Sequence, residues 1–216
     1  MKSSSLVSAL SVIVLGMGVS SLCAAQSQSA TPAPQKASAD ADAANETLVL
    51  SDTLDYDDNS KTSVFSGNVI LTRGLMRLNA DKLEVSEDKQ GTKHGKATMN
   101  KGSDFIHILQ EQPEKYTTIK GQGKVGLYEG EGEVFRLRDQ AVVTRFVCGR
   151  AVDNVRGHEV IYNSDKGTYR AVADSKQAGQ RVRSLVLPND RIKQLTEECR
   201  RKYHNKPMPT TIQTQQ

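Results

Sequence analysis

YDDNSKTSVFSGNVILTR (residues 56–73) and YEGEGEVFRLRDQAVVTR (residues 128–145) are stretches of equal length lying 72 positions apart in the 216-residue chain. Tyr56 and Tyr128, Thr72 and Thr144, and Arg73 and Arg145 recur in place, while Asp57/Glu129 and Asn68/Gln140 recur in kind. Phe65, Val69 and Leu71 fall on alternate positions, with Gly67 in phase; Phe135, Leu137, Ala141 and Val143 do the same. A period of two marks strands whose two faces differ. Each copy holds only strand and turn signals, so similar strand units follow one another with no helix between them. That pattern predicts a solenoid-like or rolled all-β structure.

The alternation extends outward. Leu48, Leu50, Leu54 and Tyr56 precede the first copy, Ile106, Ile108, Ile119, Val125 and Leu127 lie between the copies, and Val182, Ser184 and Val186 follow the second. Turns are expected at 57–59, 73–74, 89–91, 130–132 and 165–167, a spacing typical of sandwiches and rolled sheets. One helix is expected over 190–203, capped by Asn189 or Asp190 after Pro188, with Ile192, Leu195, Cys199 and Tyr203 on one stripe.

Hydrophobic residues make up 37%, charged residues 25% and aromatic residues 5% of the chain, with no Trp and a net charge of +4. The mean hydropathy of −0.52 excludes a multi-spanning membrane protein. The mild charge and few aromatics argue against nucleic acid as a partner. Lys2, the apolar run 6–22 and Cys23-Ala24-Ala25 read as a secretory signal ending at Ala25. Residues 26–46 and 204–216 read as a disordered linker and a disordered tail, since neither has large apolar residues enough to offset ordering. The folded part is then a β-domain over 47–188 with the helix at 189–203. Export leaves Cys148 and Cys199 in an oxidising compartment, where two thiols pair as a rule; the alternative is two buried thiols.

Catalytic signatures do not build up. Gly121-Gln122-Gly123-Lys124-Val125-Gly126 has dinucleotide-loop spacing, but a strand follows it where that loop needs a helix N-terminus. Ser86 to Lys89 has S-x-x-K spacing in a charged turn without companion motifs. His94, His107, His158 and His204 are scattered, and Asp52, Asp55 and Asp57 lack the Gly and distal Glu of a calcium loop. No enzyme, metal or cofactor is expected.

SDTLDY (51–56), FSGNVILTRG (65–74) and LNADKLEV (78–85) resemble the opening of the LptA/OstA-like family, the periplasmic lipopolysaccharide-transport bridge proteins. VRGHEVIYNSDKGTYRA (155–171) and RVRSLVLP (181–188) resemble its later strands. The resemblance implies a twisted, V-shaped β-jellyroll of antiparallel strands, located in the periplasm and stacking head to tail with copies of itself. It further implies lipopolysaccharide, through lipid A, as ligand, an inner-membrane LptC-like component and an outer-membrane LptD-like translocon as partners, and a groove that shields acyl chains. The apolar alternate positions Leu48, Leu50, Leu54, Phe65, Val69, Leu71, Ile106, Ile108, Leu127, Phe135 and Leu137 are the expected lining. Arg73, Arg77, Lys82, Arg136, Arg138 and Arg145 are candidate rim cations for lipid phosphates. Strands 47–56 and 181–187 are the expected open edges. A secreted structural or adhesive β-domain with a dry core is the competing reading.

Overall fold

The computed structural model describes residues 46–212, apart from 102–103, 131–133, 164–165, 167 and 178. The signal segment 1–25 and the linker up to residue 45 lie outside the described residues. Twelve strands follow in order: β1 (Thr47–Leu50), β2 (Thr53–Asp57), β3 (Thr62–Arg73), β4 (Met76–Glu87), β5 (Lys93–Thr98), β6 (Ile106–Gln112), β7 (Thr117–Gly123), β8 (Val125–Glu129), β9 (Val134–Val147), β10 (Arg150–Asn163), β11 (Thr168–Val172) and β12 (Arg183–Val186). Among the described residues a 3-10 turn, Pro113–Lys115, links β6 to β7, and helix α1 (Asn189–Lys202) follows β12, ahead of the described residues 203–212. All pairings are antiparallel, and the architecture is the all-β one with a C-terminal helix that the alternation and the resemblance predict.

Four long strands, β3, β4, β9 and β10, each serve two layers. Their one half builds the order β2-β3-β4-β5-β8-β9-β10-β11; their other half builds β1-β3-β4-β6-β7-β9-β10-β12. The register slips between Ser66 and Val69 in β3, and between Gly157 and Glu159 in β10, where the sheet passes from one layer to the other. Such slips bend strands and reset which side chains face inward. Residues from both layers meet in one buried cluster, among them Val69, Leu83, Ala97, Ile106, Leu137, Ala141 and Val160.

The repeat in the sequence is a repeat of the whole pairing scheme. β1 and β2 both pair with β3, β3 with β4, and β4 with both β5 and β6; β7 to β12 repeat each of these steps. Register carries over too. Leu54 opposite Phe65 matches Gly126 opposite Leu137, and Val49 opposite Leu71 matches Gly121 opposite Val143. Phe65 opposite Leu83 and Leu83 opposite Ala97 match Leu137 opposite Val160 and Val160 opposite Ala171. Leu78 opposite Ile108 matches Val155 opposite Ser184. The halves are joined by β5 on β8 and by β6 on β7.

The bends of β3 and β9 sit at equivalent positions and use left-handed backbone: Gly67 and Asn68 have φ of 81° and 47°, Asp139 and Gln140 of 58° and 60°. Glycine is required at 67, because a Cβ there would lie 2.2 Å from Asp52 Oδ2. That carboxylate accepts a hydrogen bond from Asn68 Nδ2 at 2.9 Å, while the Asp52 amide donates to the Gly67 carbonyl at 3.0 Å.

Helix α1 lies against the β9–β10 turn. Leu195 and Cys199 are buried with Val147 and Val152, and Ile192 packs beside them. The Cys148–Cys199 disulfide fastens the helix to that turn, with a Cα separation of 5.7 Å. Two expectations need correction. Pro188, not Asn189 or Asp190, stands at the cap position, and no side chain caps the helix; Asp190 instead sits in the first turn, where its charge suits the dipole. The segment 204–216 is not a disordered tail as far as residue 212. Tyr203 stacks on Tyr116 at 6.4 Å, the Met208 amide donates to the Pro113 carbonyl, and Ile212 is buried.

Candidate functional site

The face between the two layers is the apolar one. Phe65, Val69, Leu71, Ile106, Ile108 and Leu137 belong to it, as expected, together with Val49, Leu78, Val85, Val143 and Val155. Phe135 lies on the same face, two residues before Leu137, its ring 4.8 Å from that of Tyr128. Leu54 stands opposite Phe65 and so shares its face, but at the very edge, where it is 55% exposed.

Three expected lining residues face the other way. Leu48 and Leu50 pair with Thr72 and Ile70 on the outer face, and Val49 takes the inward place opposite Leu71. Leu127 pairs with Lys96 and Arg136, again outside, and the inward neighbours are Gly126 and Tyr128. Leu48-Val49-Leu50 is apolar at every position, so its phase carries no signal. At β8 the inward residue is a glycine, which hides the alternation.

Glycines fill a specific purpose at the centre. A Cβ on Gly126 would lie 2.5 Å from Ile106 Cδ1, and one on Gly121 2.8 Å from Leu137 Cδ1. Ile106 and Leu137 thus reach across into spaces that larger residues would occupy, and Ile106 is fully buried. Toward the two ends apolar side chains of both faces become exposed. Among the described residues, the large apolar side chains left exposed are Leu48, Leu50, Leu54, Tyr56, Tyr169, Val182, Leu185 and Val186. All lie on β1, β2, β11 or β12, or next to β12. Each of these strands pairs on one side only, β1 and β2 with β3, and β11 and β12 with β10.

Most candidate rim cations already have partners. Arg136 donates through Nε and Nη2 to both carboxylate oxygens of Glu129, Arg138 to Glu159 at 2.7 Å, Lys82 to Glu84 at 2.7 Å, and Arg145 pairs with Asp153. The bond to Lys82 lowers the Glu84 carboxyl, and the bond to Glu159 raises Arg138 above its ordinary value. Arg73 Nη1 donates to the Tyr128 hydroxyl at 3.2 Å. Arg77 is on the outer face, beside a depression shared with His107 and Lys120, the last lying over the Phe146 ring at 5.4 Å.

Sequence reasoning missed one site. Glu111 on β6 is buried, and its carboxylate accepts hydrogen bonds from the hydroxyls of Thr210 and Thr211 and the amides of Thr211 and Ile212. Burial pushes this carboxyl up, but the four donors outweigh it and hold it below its ordinary value. A hundred residues separate the partners, so no local pattern could reveal them.

No group of His, Cys, Asp and Glu among the described residues is gathered for a metal ion, and no described helix is long and apolar enough to cross a membrane. Residues 48–168 match the family model described as LptA/(LptD N-terminal domain) LPS transport protein. The chain is 26% identical over 140 residues to the lipopolysaccharide export system protein LptA of Escherichia coli K12, covering 64% of this chain and 69% of that protein. The LptA of Shigella flexneri matches to the same extent. Among solved structures, LptH of Pseudomonas aeruginosa, titled the LptA-homologous periplasmic component of the lipopolysaccharide transport device, superposes with a TM-score of 0.56 at 20% identity. It covers 67% of this chain and 96% of that one, a likeness of fold.

Proposed function

The chain belongs to the LptA/(LptD N-terminal domain) LPS transport protein family, and from that premise we propose that it works as a non-enzymatic bridge element in the periplasm. In this reading lipopolysaccharide is carried with its lipid A acyl chains between the two β-layers. The chain continues the bridge through its open edges to further copies, to an inner-membrane LptC-like component and to an outer-membrane LptD-like translocon. One observation carries the proposal: a single apolar face runs between the layers from β1 and β2 to β11 and β12, and the exposed large apolar residues gather at those two ends. Each methylene moved from water onto such a face contributes about 0.8 kcal/mol, and passage between like faces needs no new binding energy at each step. Ile106 and Leu137 close the centre, so acyl chains enter there only as these side chains give way. A dry structural or adhesive domain is not favoured, since family membership points to lipid transport.

A photo-crosslinking amino acid at Phe65 or Ile108, on the inner face, is expected to capture lipopolysaccharide in the cell envelope. The same group at Leu48 or Leu127, on the outer face, is expected to capture none. Equal labelling from both faces, or none from either, would remove the proposal.

A further inference from the structure

The outer face of the sheet carries a hollow for which carriage of acyl chains between the layers has no use. Leu78, Ile108 and Val143 belong to the apolar inner face, so their neighbours along β4, β6 and β9 turn outward. Two cross-strand rows of these outward residues form the hollow. Arg77 and Lys120 stand in the first row, on either side of Leu109; Asn79 and Gln122 stand in the second, on either side of His107. The Phe146 ring on β9 closes it along one side. Its volume is about 490 Å³, within the size range of small-molecule sites.

The polar groups around it are of one kind. Among the described residues no carboxylate lines the hollow. Arg77 Nε is buried and has no hydrogen-bond partner among the described residues, whereas buried donors are as a rule satisfied. Arg136, Arg138, Arg145 and Lys82 are each in an ion pair; neither Arg77 nor Lys120 is paired with a described carboxylate. The Lys120 ammonium lies instead over the Phe146 ring, at the wall of the hollow. The carboxylates next along these strands are committed elsewhere: Asp81 accepts from the Asn100 amide, and Glu111 from residues 210–212. The second row continues across Val142 into Arg156 and Arg183, so the surround is cationic too.

We infer that this hollow is a binding site for a phosphate monoester group, on the opposite side of the sheet from the apolar face. Arg77 and Lys120 are two strand spacings apart, about 10 Å between backbones, and their long side chains converge from there on one anion set between them. Two permanent cations match the charge of a phosphate monoester, about −2 near neutral pH, and exceed what a carboxylate needs. The guanidinium fork suits two phosphate oxygens and the ammonium a third. Leu109 and Phe146 keep water from part of the site, which strengthens each of these bonds. The amides of Asn79 and Gln122, one row away, are placed for hydroxyls of the molecule that carries the phosphate. A soluble sugar phosphate and a lipid headgroup both present this group. The inference uses no inner-face residue and no strand edge, so it stands or falls apart from the transport reading.

The test follows backbone amide shifts of the chain on titration with glucose 6-phosphate. In parallel, the chain is sedimented with phosphatidylcholine vesicles with and without phosphatidic acid, whose headgroup is a phosphate monoester. Saturable shifts at residues 77–79, 107–109 and 120–122, or sedimentation that requires phosphatidic acid, are expected. Response to the sugar phosphate alone assigns a soluble ligand, and response to the vesicles alone a lipid headgroup. Arg77→Gln and Lys120→Gln should each weaken the response about tenfold. Arg170→Gln, the same loss of charge at an exposed position on β11, should leave it unchanged. Lys120 is exposed, so its variant keeps the fold, which the dispersion of its amide spectrum verifies, and it decides the matter should Arg77→Gln unfold the chain. Binding of neither probe, an undiminished response in Lys120→Gln, equal weakening by Arg170→Gln, or equal affinity for acetate would each overturn the inference.

Discussion

The β1–β6 half and the β7–β12 half share one pairing scheme but stabilise it differently. At the bend of β3 the first half places Gly67, where the Asp52 side chain presses against the backbone and bonds Asn68. At the bend of β9 the second half places Asp139 and Gln140 in the same left-handed conformation. There Lys124 stands where Asp52 does, and its amide donates to the carbonyls of Arg138 and Asp139. After β6 a proline-led 3-10 turn returns the chain as β7; after β12, Pro188 leads into a helix. The first half therefore continues into another repeat, while the second ends in a covalently fastened cap. A duplicated framework tolerates different local solutions as long as the strand register is preserved.

The largest expected effect separates the halves through their staples. The disulfide spans 51 positions, and a crosslink of that size contributes on the order of 4 kcal/mol in the chain-entropy account. Cys199→Ser should lower stability by about that much and raise amide exchange in α1 and residues 203–212. Exchange in β1 to β5 should remain close to that of the unaltered chain. Exchange that rises equally in β1 to β5 would break the comparison, because the staple would then hold both halves.

The next effect contrasts the two bends. Gly67→Ala puts a Cβ into the Asp52 carboxylate and forces a left-handed alanine, an expected loss of about 2–3 kcal/mol by thermal or denaturant unfolding. Asp139→Gly at the equivalent bend relieves a strained residue at the cost of its approach to His158 Nδ1 at 3.4 Å. It should change stability by about 1 kcal/mol or less. Equal losses at the two positions would mean that the bends are not equivalent.

These contrasts also mark what the sequence made legible. The period of two, the turns at 57–59, 73–74 and 89–91, the helical stripe and the 72-residue repeat are legible in the sequence, and each corresponds to a feature of the structure; the turns expected at 130–132 and 165–167 lie largely outside the described residues. Gly67-Asn68 and Asp139-Gln140 stand out in the sequence only as a departure between copies; the backbone makes them the same bend. The phase of Leu48-Val49-Leu50 is unreadable because all three positions are apolar, and only the pairing with β3 shows that Val49 is the inward one. Leu127 misled for the opposite reason: its inward neighbour had shrunk to glycine to admit Ile106 from the other layer. Both positions are decided by pairing and packing with other strands, which alternation along one strand does not record.

The smallest expected effect concerns the noncovalent clasp that accompanies the staple. Glu111 belongs to β6, in the first half, but it holds Thr210, Thr211 and Ile212, which follow the second half's helix. Its carboxyl lies below its ordinary value near 4.5, since four donors to the ionised form outweigh burial. A carboxyl depressed in the folded state contributes stability above its unfolded pKa. That contribution declines as the pH falls below about 4.5 and is gone once the folded value is passed. Acidification from pH 6 to pH 3 should therefore release residues 208–212 before the β-layers open, seen as faster amide exchange at Thr211 and Ile212 while α1 stays fastened by its disulfide. Glu111→Gln keeps the size but lacks the charge, and with it one acceptor oxygen. The variant should show a loosened clasp at pH 6, weaker by about 1–2 kcal/mol, with little further change on acidification. If the variant's tail retains the pH response of the unaltered chain, some other group governs it. The link that Glu111 makes from the first half to the end of the second would then be structural contact alone.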